Sequence, residues 1–402
     1  MDHPAQFNRG PCGGKPVTPT PIIQGWCPGA LRPMMSGDGL VVRLRPRGGR
    51  LSGDQALGIA QLAQAHGNGL IDLSARANMQ LRGVADAGHP VLIAGLAALG
   101  LIDETSKAEA ARNIIVTPFW SAGDGTSDIA DDLMAAICGP DFPELPGKFG
   151  YAVDTGATPV LRGASADIRI ERCAAGLIVR ADGAPSGAVV APDDVIAAVA
   201  DLVAWFLAMG GAADGRGRMA DLIASGATLP DPYCAIAMDR GTQSPPKPRL
   251  VHAGALVGFQ FGQMQAETLA GLARLGALRL TPWRMLVVEG AREMPALRDL
   301  ITDPDDPMLR ITACTGAPGC LQAHQPTRDL ARDLARHMTH DLHISGCAKG
   351  CAHAHAAPVT LVATPRGYDL IRNGRASDAP VLRGLTGDEI RRHPELICKT
   401  PA

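Results

Sequence analysis

Short apolar runs alternate along this chain with stretches in which apolar residues recur every three or four positions, and the whole arrangement occurs twice. LSGDQALGIAQLAQAHG, from Leu51, and MQAETLAGLARLGA, from Met264, each place apolar residues at helical spacing behind an acidic residue, which predicts a helix in both. Asp54 aligns with Glu267, Gly58 with Gly271, Ala60 with Ala273 and Leu62 with Leu275. A β-like run precedes each helix, Leu40 to Leu44 and Ala255 to Phe261, and another follows, Leu70 to Leu73 and Leu278 to Leu280. Further on, RNIIVTP from Arg112 is echoed by RITACTGAP from Arg310, and GLIVRADG at 176–183 by GYDLIRNG at 367–374. LPGKFG at 145–150 aligns with ISGCAKG at 344–350, which sets Lys148 against Cys347. Blocks repeated in one order predict a duplicated, pseudo-two-fold fold of mixed α/β (α+β) class, with a central site between its halves.

With 402 residues the chain is long for one core, so several packed units are expected. The most apolar stretch, Val195 to Met209, is interrupted by Asp201 and too short to cross a bilayer, so it predicts an amphipathic or buried helix and no membrane partner. The opening Pro- and Gly-rich segment has no apolar core of a secretory signal, which predicts a cytoplasmic protein. Net charge is −2 and aromatic content 3%, a balance that argues against a nucleic-acid partner. In a reducing compartment the ten cysteines are expected to be metal ligands or core residues and not disulfides.

One group of cysteines has metal-ligand spacing: Cys314-x5-Cys320, then Cys347-x3-Cys351. Both pairs sit in Gly-punctuated loops, TACTGAPGC and SGCAKGCAHAH, where backbone N–H groups can approach sulfur. Four thiolates can cage a [4Fe–4S] cluster. Zinc ribbons favour two-residue gaps, which these are not. The corresponding places in the first copy hold no cysteine, and Cys138 and Cys173 are expected in a core.

The C-x5-C…C-x3-C pattern and the doubled architecture resemble the sulfite and nitrite reductase family, over about residues 25 to 400. LIDLSARANMQLRGV at 70–84, RNIIVTP and LPGKFGYAV at 145–153 are similar to motifs lining that family's central pocket. The resemblance implies an N-terminal arm over 1–24, a ferredoxin-like half-domain over 25–90 and a reductase-like domain without cluster over 91–240. Beyond GTQSPPKPRL at 241–250, whose three prolines and missing apolar period read as a linker, it implies a second ferredoxin-like half-domain over 250–300 and a cluster-bearing domain over 301–402. It also implies a tetrapyrrole whose carboxylates meet Arg76, Asn78, Gln80, Arg112 and Lys148. Strand alternation through 74–80 is expected to set 76, 78 and 80 on one polar face.

Within the family, GWCPGALRPMMSGDGLVVRLRP at 25–46, S-A-R-A-N at 74–78 and GCAKGCAH at 346–353 are most similar to a branch that acts on a metal-free tetrapyrrole. That branch implies precorrin-3A and dioxygen as substrates, hydroxylation at C20 with closure of a γ-lactone, and a place in cobalamin synthesis. It also implies a mononuclear non-haem iron, for which His353 and His355 are side-chain candidates; an exposed loop pair or hydrogen bonds beside the cluster fit the same two residues. Where sulfite reductases carry a second lysine, this chain has Gly150, which counts against sulfite or nitrite. A sirohaem-dependent sulfite or nitrite reductase is the alternative. No GxGxxG stands between a strand and a helix, so no flavin or NAD site is expected. Electrons would then come from a ferredoxin or an NADH-dependent reductase.

Overall fold

The computed structural model describes residues 28–237 and 244–398. The expected N-terminal arm, Trp26 and Cys27 at the start of the GWCPGALR motif, and residues 241–243 of the expected linker lie outside the described residues.

Both predicted helices form. The first, Gly53–His66, starts at a capping box in which the Ser52 hydroxyl accepts the Gln55 N–H and the Gln55 side chain accepts the Ser52 N–H. Such a cap contributes about 1 kcal/mol. Its Ala56, Ile59, Ala60 and Ala63 are buried. The second, Ala266–Ala273, is shorter, buries Leu269 and Leu272, and packs against the first.

Each helix belongs to an antiparallel sheet. The first runs in the order 34–36, 39–44, 79–84, 70–73, 263–265, and the second 249–251, 254–259, 286–289, 278–280, 50–51. The last strand of each comes from the other copy: Gln263 to Gln265 pair with Asp72 to Leu70, and Arg50 and Leu51 with Arg279 and Leu278. The exchange ties the halves through backbone hydrogen bonds and one continuous core that takes Ile59, Leu81 and Leu96 from one half and Leu269, Leu278 and Leu286 from the other.

The remaining sheets form two lobes of matching topology, 114–116, 151–154, 168–173, 176–181, 186–190, 236–237 and 311–313, 342–345, 357–364, 367–374, 382–385. In both, three parallel strands are followed by antiparallel ones. Val195 to Ala208 form the helix expected from their apolar run, buried against the first lobe's sheet.

Two expectations need correction. Tyr151 stands opposite Ile114 and Ile168, as Leu342 stands opposite Ile311 and Val359. Strand 151–154 is therefore the counterpart of 342–345, and Lys148 precedes its strand whereas Cys347 follows the equivalent one. The motif similarity between 145–150 and 344–350 joins opposite strand ends. The strand expected through 74–80 begins only at Met79. Residues 74–78 form a turn whose Ser74 hydroxyl accepts the N–H groups of Arg76 and Asn78, with Ala77 at φ 52°. The 281–285 turn repeats it: the Thr281 hydroxyl accepts the N–H groups of Trp283 and Met285, with Arg284 at φ 59°.

Candidate metal centre

The cysteine loops leave the ends of neighbouring parallel strands. Cys314 follows strand 311–313, and Cys347 follows 342–345. Parallel pairing therefore sends both loops off the same edge of the lobe. They interlock: Cys314 N–H donates to the Ile344 carbonyl, His324 N–H to the Gly346 carbonyl at 2.9 Å, and Gly346 N–H to the Cys314 sulfur at 3.1 Å. Gly346 is required there, since a Cβ would stand 2.7 Å from that of Ala323 and 3.3 Å from the Cys314 sulfur. The Thr327 hydroxyl donates to the Cys314 carbonyl at 2.6 Å, and the Ser345 hydroxyl to the Cys347 carbonyl at 2.7 Å.

Cys314, Cys320 and Cys347 are half-buried, and Cys351 reaches the surface as a residue although its thiol is largely enclosed by protein. The four thiols act on one another. Burial pushes Cys351 up to about 11, with Lys349 opposing and the charges of Cys314, Cys347 and Cys320 adding to the rise; Cys347 is raised by burial and by Cys320 and Cys314. Cys347 and Cys351, raised in this way, ionise more readily beside a positive partner, which bound metal supplies. Among the described residues no three His, Cys, Asp or Glu side chains close on a single ion. A cubane seats each thiolate on a different corner, and the backbone N–H that Gly346 aims at the Cys314 sulfur is the kind of donor a cluster's thiolates accept. Cys138 and Cys173, expected in a core, are exposed and half-buried.

Arginines absent from the sequence expectations surround the cysteine loops. Arg82 donates to the Gly319 carbonyl at 3.0 Å while pairing with Asp38 at 2.7 Å and Asp72 at 3.3 Å. Ser36 and Gly37 donate to the same carbonyl. Arg328 reaches Asp72 at 3.5 Å, its Nε buried without a partner. Arg284 donates to the Ala352 carbonyl at 2.7 Å. Behind the loop lies His343, fully buried, with neither ring nitrogen hydrogen-bonded. Burial, then His353 and Arg284, lowers its pKa to about 4. Its ring stands edge-on to His353 at 5.6 Å, and His353 to His355 at 6.0 Å. His353 and His355 thus adjoin the cysteines, but with no third donor converging they fall short of an iron site as arranged.

The tetrapyrrole residues named from the sequence are placed variously. Arg76 donates to the Lys148 carbonyl and the Ser165 hydroxyl, both at 3.2 Å, so Arg76 and Lys148 are neighbours. Gln80 accepts from Arg43 at 2.7 Å, and Asn78 is buried. Arg112 is buried, paired with Asp103 at 2.7 Å and donating to the Arg45 carbonyl. A cavity of about 660 Å³ opens beside helix 106–111 and the 137–149 segment, and its walls include none of these five residues and none of the four cysteines.

Residues 32–99 match the nitrite/sulfite reductase ferredoxin-like half domain. A precorrin-3B synthase of Sinorhizobium sp is 30% identical over 92% of this chain and 87% of its own length. This chain belongs to the precorrin-3B synthase family. A ferredoxin–nitrite reductase of Leptolyngbya laminosa is 23% identical over 92% of the chain and 84% of its own. The Mycobacterium tuberculosis NirA protein superposes with a TM-score of 0.64 at 19% identity, covering 89% of this chain and 79% of that one, which shows the shared fold. Precorrin-3B synthases thus share the reductases' pseudo-two-fold architecture, and with such relatives the chain is an enzyme of the oxidoreductase class. No helix among the described residues is long and apolar enough to cross a membrane.

Proposed function

We propose that the chain hydroxylates precorrin-3A at C20 with dioxygen and closes the ring A acetate onto the macrocycle as a γ-lactone, the precorrin-3B synthase step of aerobic cobalamin synthesis. Likeness to a precorrin-3B synthase along 92% of the chain supports this reading. The observation that carries it against the reductase alternative is Gly150. Its N–H donates to Asp167 at 2.9 Å, and a Cβ there would stand 2.9 Å from both the side-chain nitrogen and the carbonyl oxygen of Asn113. A lysine would enter only with a shift of Asn113, which supports the reading that this chain lacks the second basic group of a sulfite-type oxyanion site.

Cys314, Cys320, Cys347 and Cys351 are the proposed ligands of the [4Fe–4S] cluster, which supplies single electrons when bound. Arg76, Asn78, Gln80, Arg112 and Lys148 are the proposed contacts to substrate carboxylates; of these, Arg76 and Lys148 are neighbours, while Gln80 bonds Arg43 and Arg112 is paired with Asp103. In the reaction one oxygen atom goes to carbon and the other leaves as water, so two electrons and two protons enter from an outside donor, a ferredoxin or an NADH-dependent reductase. Any mononuclear iron would lie near His353 and His355, with His343 behind them.

The test is conversion of precorrin-3A under isotopically labelled dioxygen, with mass analysis of the product. Label in the new hydroxyl supports the proposal. Unlabelled product, full-rate conversion without oxygen, or the intense visible bands of bound sirohaem in the purified protein would move it to the reductases.

A further inference from the structure

Arg284 occupies an unusual place. It is the left-handed residue of the 281–285 turn, a conformation that a long side chain adopts at an energetic cost and that persists where surrounding structure enforces it. Gly262 packs so close that a Cβ there would stand 2.5 Å from that of Arg284, which fixes the direction of the side chain. The partly buried guanidinium runs from the ferredoxin-like half into the cluster lobe and donates to the Ala352 carbonyl, the residue after Cys351. Its counterpart by register, Ala77, has no such group.

The charges around it do not balance. Arg82 and Arg328 meet the two carboxylates Asp38 and Asp72, and Asp72 and Arg328 are near enough to act on Arg284. Arg82 occupies Asp38 and shares Asp72 with Arg328. Among the described residues no carboxylate lies within ion-pair distance of Arg284, while the charges of Arg328, Asp72 and Cys314 all act on it. A cubane on four thiolates is a net anion in both oxidation states and becomes more negative on reduction, so a fixed neighbouring cation favours the reduced form.

We propose that Arg284 is a tuning residue: its charge offsets that of the cysteine-bound cluster and holds the cluster's reduction potential up, into the range of its electron donor. This rests on the cluster reading of the four cysteines. Iron and acid-labile sulfide are therefore assayed in every sample, and an unaltered protein lacking both would defeat that reading and not this one alone.

The experiment is a redox titration, followed by EPR, of anaerobically purified holoprotein and of Arg284→Gln and Arg284→Lys. The Gln variant should keep its cluster and shift to a more negative potential, whereas the Lys variant, which keeps the charge but not the planar fork, should stay close to the parent. Loss of the cluster in Arg284→Gln with retention in Arg284→Lys would also support the role of charge. Equal potentials in all three proteins would overturn the proposal. So would equal shifts, or loss of the cluster, in both variants, since the hydrogen bond to Ala352 and not the charge would then matter.

Discussion

The two lobes share a strand order and a register, yet they solve one problem differently. Each sends a long loop off its second parallel strand. In the first lobe an aspartate and an arginine hold that loop: Asp154 accepts the N–H groups of Val160 and Leu161, and Arg169 donates to the carbonyls of Leu161 and Ala164 while pairing with Asp182 at 2.6 Å. In the second lobe the equivalent positions are Ser345 and Thr360, which bond their own surroundings, and the loop carries Cys347 and Cys351. At a third equivalent pair, the first lobe has buried Ala152 and the second buried His343 with no hydrogen bond. One loop is closed by the polypeptide itself, and the other is left with thiols and an imidazole that ask for something more. The scaffold therefore does not require a cluster. On the proposed reading, the second lobe carries its cluster at the place where the first uses an aspartate and an arginine.

The strongest way to break this contrast is to remove a ligand on one side and a clamp on the other. Serine at Cys314, Cys320, Cys347 or Cys351 should abolish bound iron and sulfide and lower the stability of the second lobe, because metal binding and folding are coupled. Serine at Cys138 or Cys173 should change neither, as metal analysis and thermal unfolding will show. Arg169→Ala should destabilise the first lobe by about 3–5 kcal/mol by leaving Asp182 and two carbonyls without their partner. Iron and sulfide per folded chain should be unchanged, and their loss would show that the lobes are not independent in this respect.

A smaller effect sharpens the comparison through pH. Burial raises the pKa of Asp154 to about 6, with its two N–H donors opposing, and one of its oxygens has no partner. Between its unfolded value, near 4, and about 6 the folded protein binds more protons than the unfolded chain, so this group's contribution to stability grows as pH falls through that window. The contribution is worth about 3 kcal/mol at most. Asp154→Asn keeps an oxygen acceptor but removes the titration. Urea unfolding at pH 7 and pH 4.5 should therefore show the variant gaining on the parent at pH 7 and losing that advantage at pH 4.5; a constant difference would count against a buried, titrating Asp154.

The smallest effect belongs to the exchanged strands. Arg50, partly exposed, pairs with Glu289 across the halves, and its substitution by alanine should cost about 0.5 kcal/mol, as surface ion pairs do. The exchange itself rests on backbone pairing and the shared core, so unfolding should stay cooperative in that variant.

Much of this was legible in the residues. Helical spacing behind Asp54 and Glu267 located both helices, because their buried faces are long and periodic. The cysteine spacing picks out two loops that the fold sets at the same edge of the second lobe, joined by the Gly346 N–H to the Cys314 sulfur. What escaped depends on three dimensions. Exchange of strands 50–51 and 263–265 leaves no trace in periodicity, since a short strand reads the same whichever sheet receives it. Lys148 was set against Cys347 because Gly- and Lys-containing loops resemble one another at either end of a strand, and only strand register separates them. Arg112 looked like a ligand-binding arginine, yet Asp103, nine residues earlier, holds it. Arg284 stands where the repeat has Ala77, and aligning turn to turn would have singled it out. His343 carried no signal, because one histidine in a strand is usually a satisfied one.

The central claim is that the second lobe, and not the first, carries a cubane cluster on Cys314, Cys320, Cys347 and Cys351. Iron and acid-labile sulfide assayed on anaerobically purified protein, with EPR of the reduced sample, test it most directly. Both iron and sulfide are expected, with the signal of a reduced [4Fe–4S] cluster. Zinc without sulfide, or four freely titrating thiols with no metal, would contradict it.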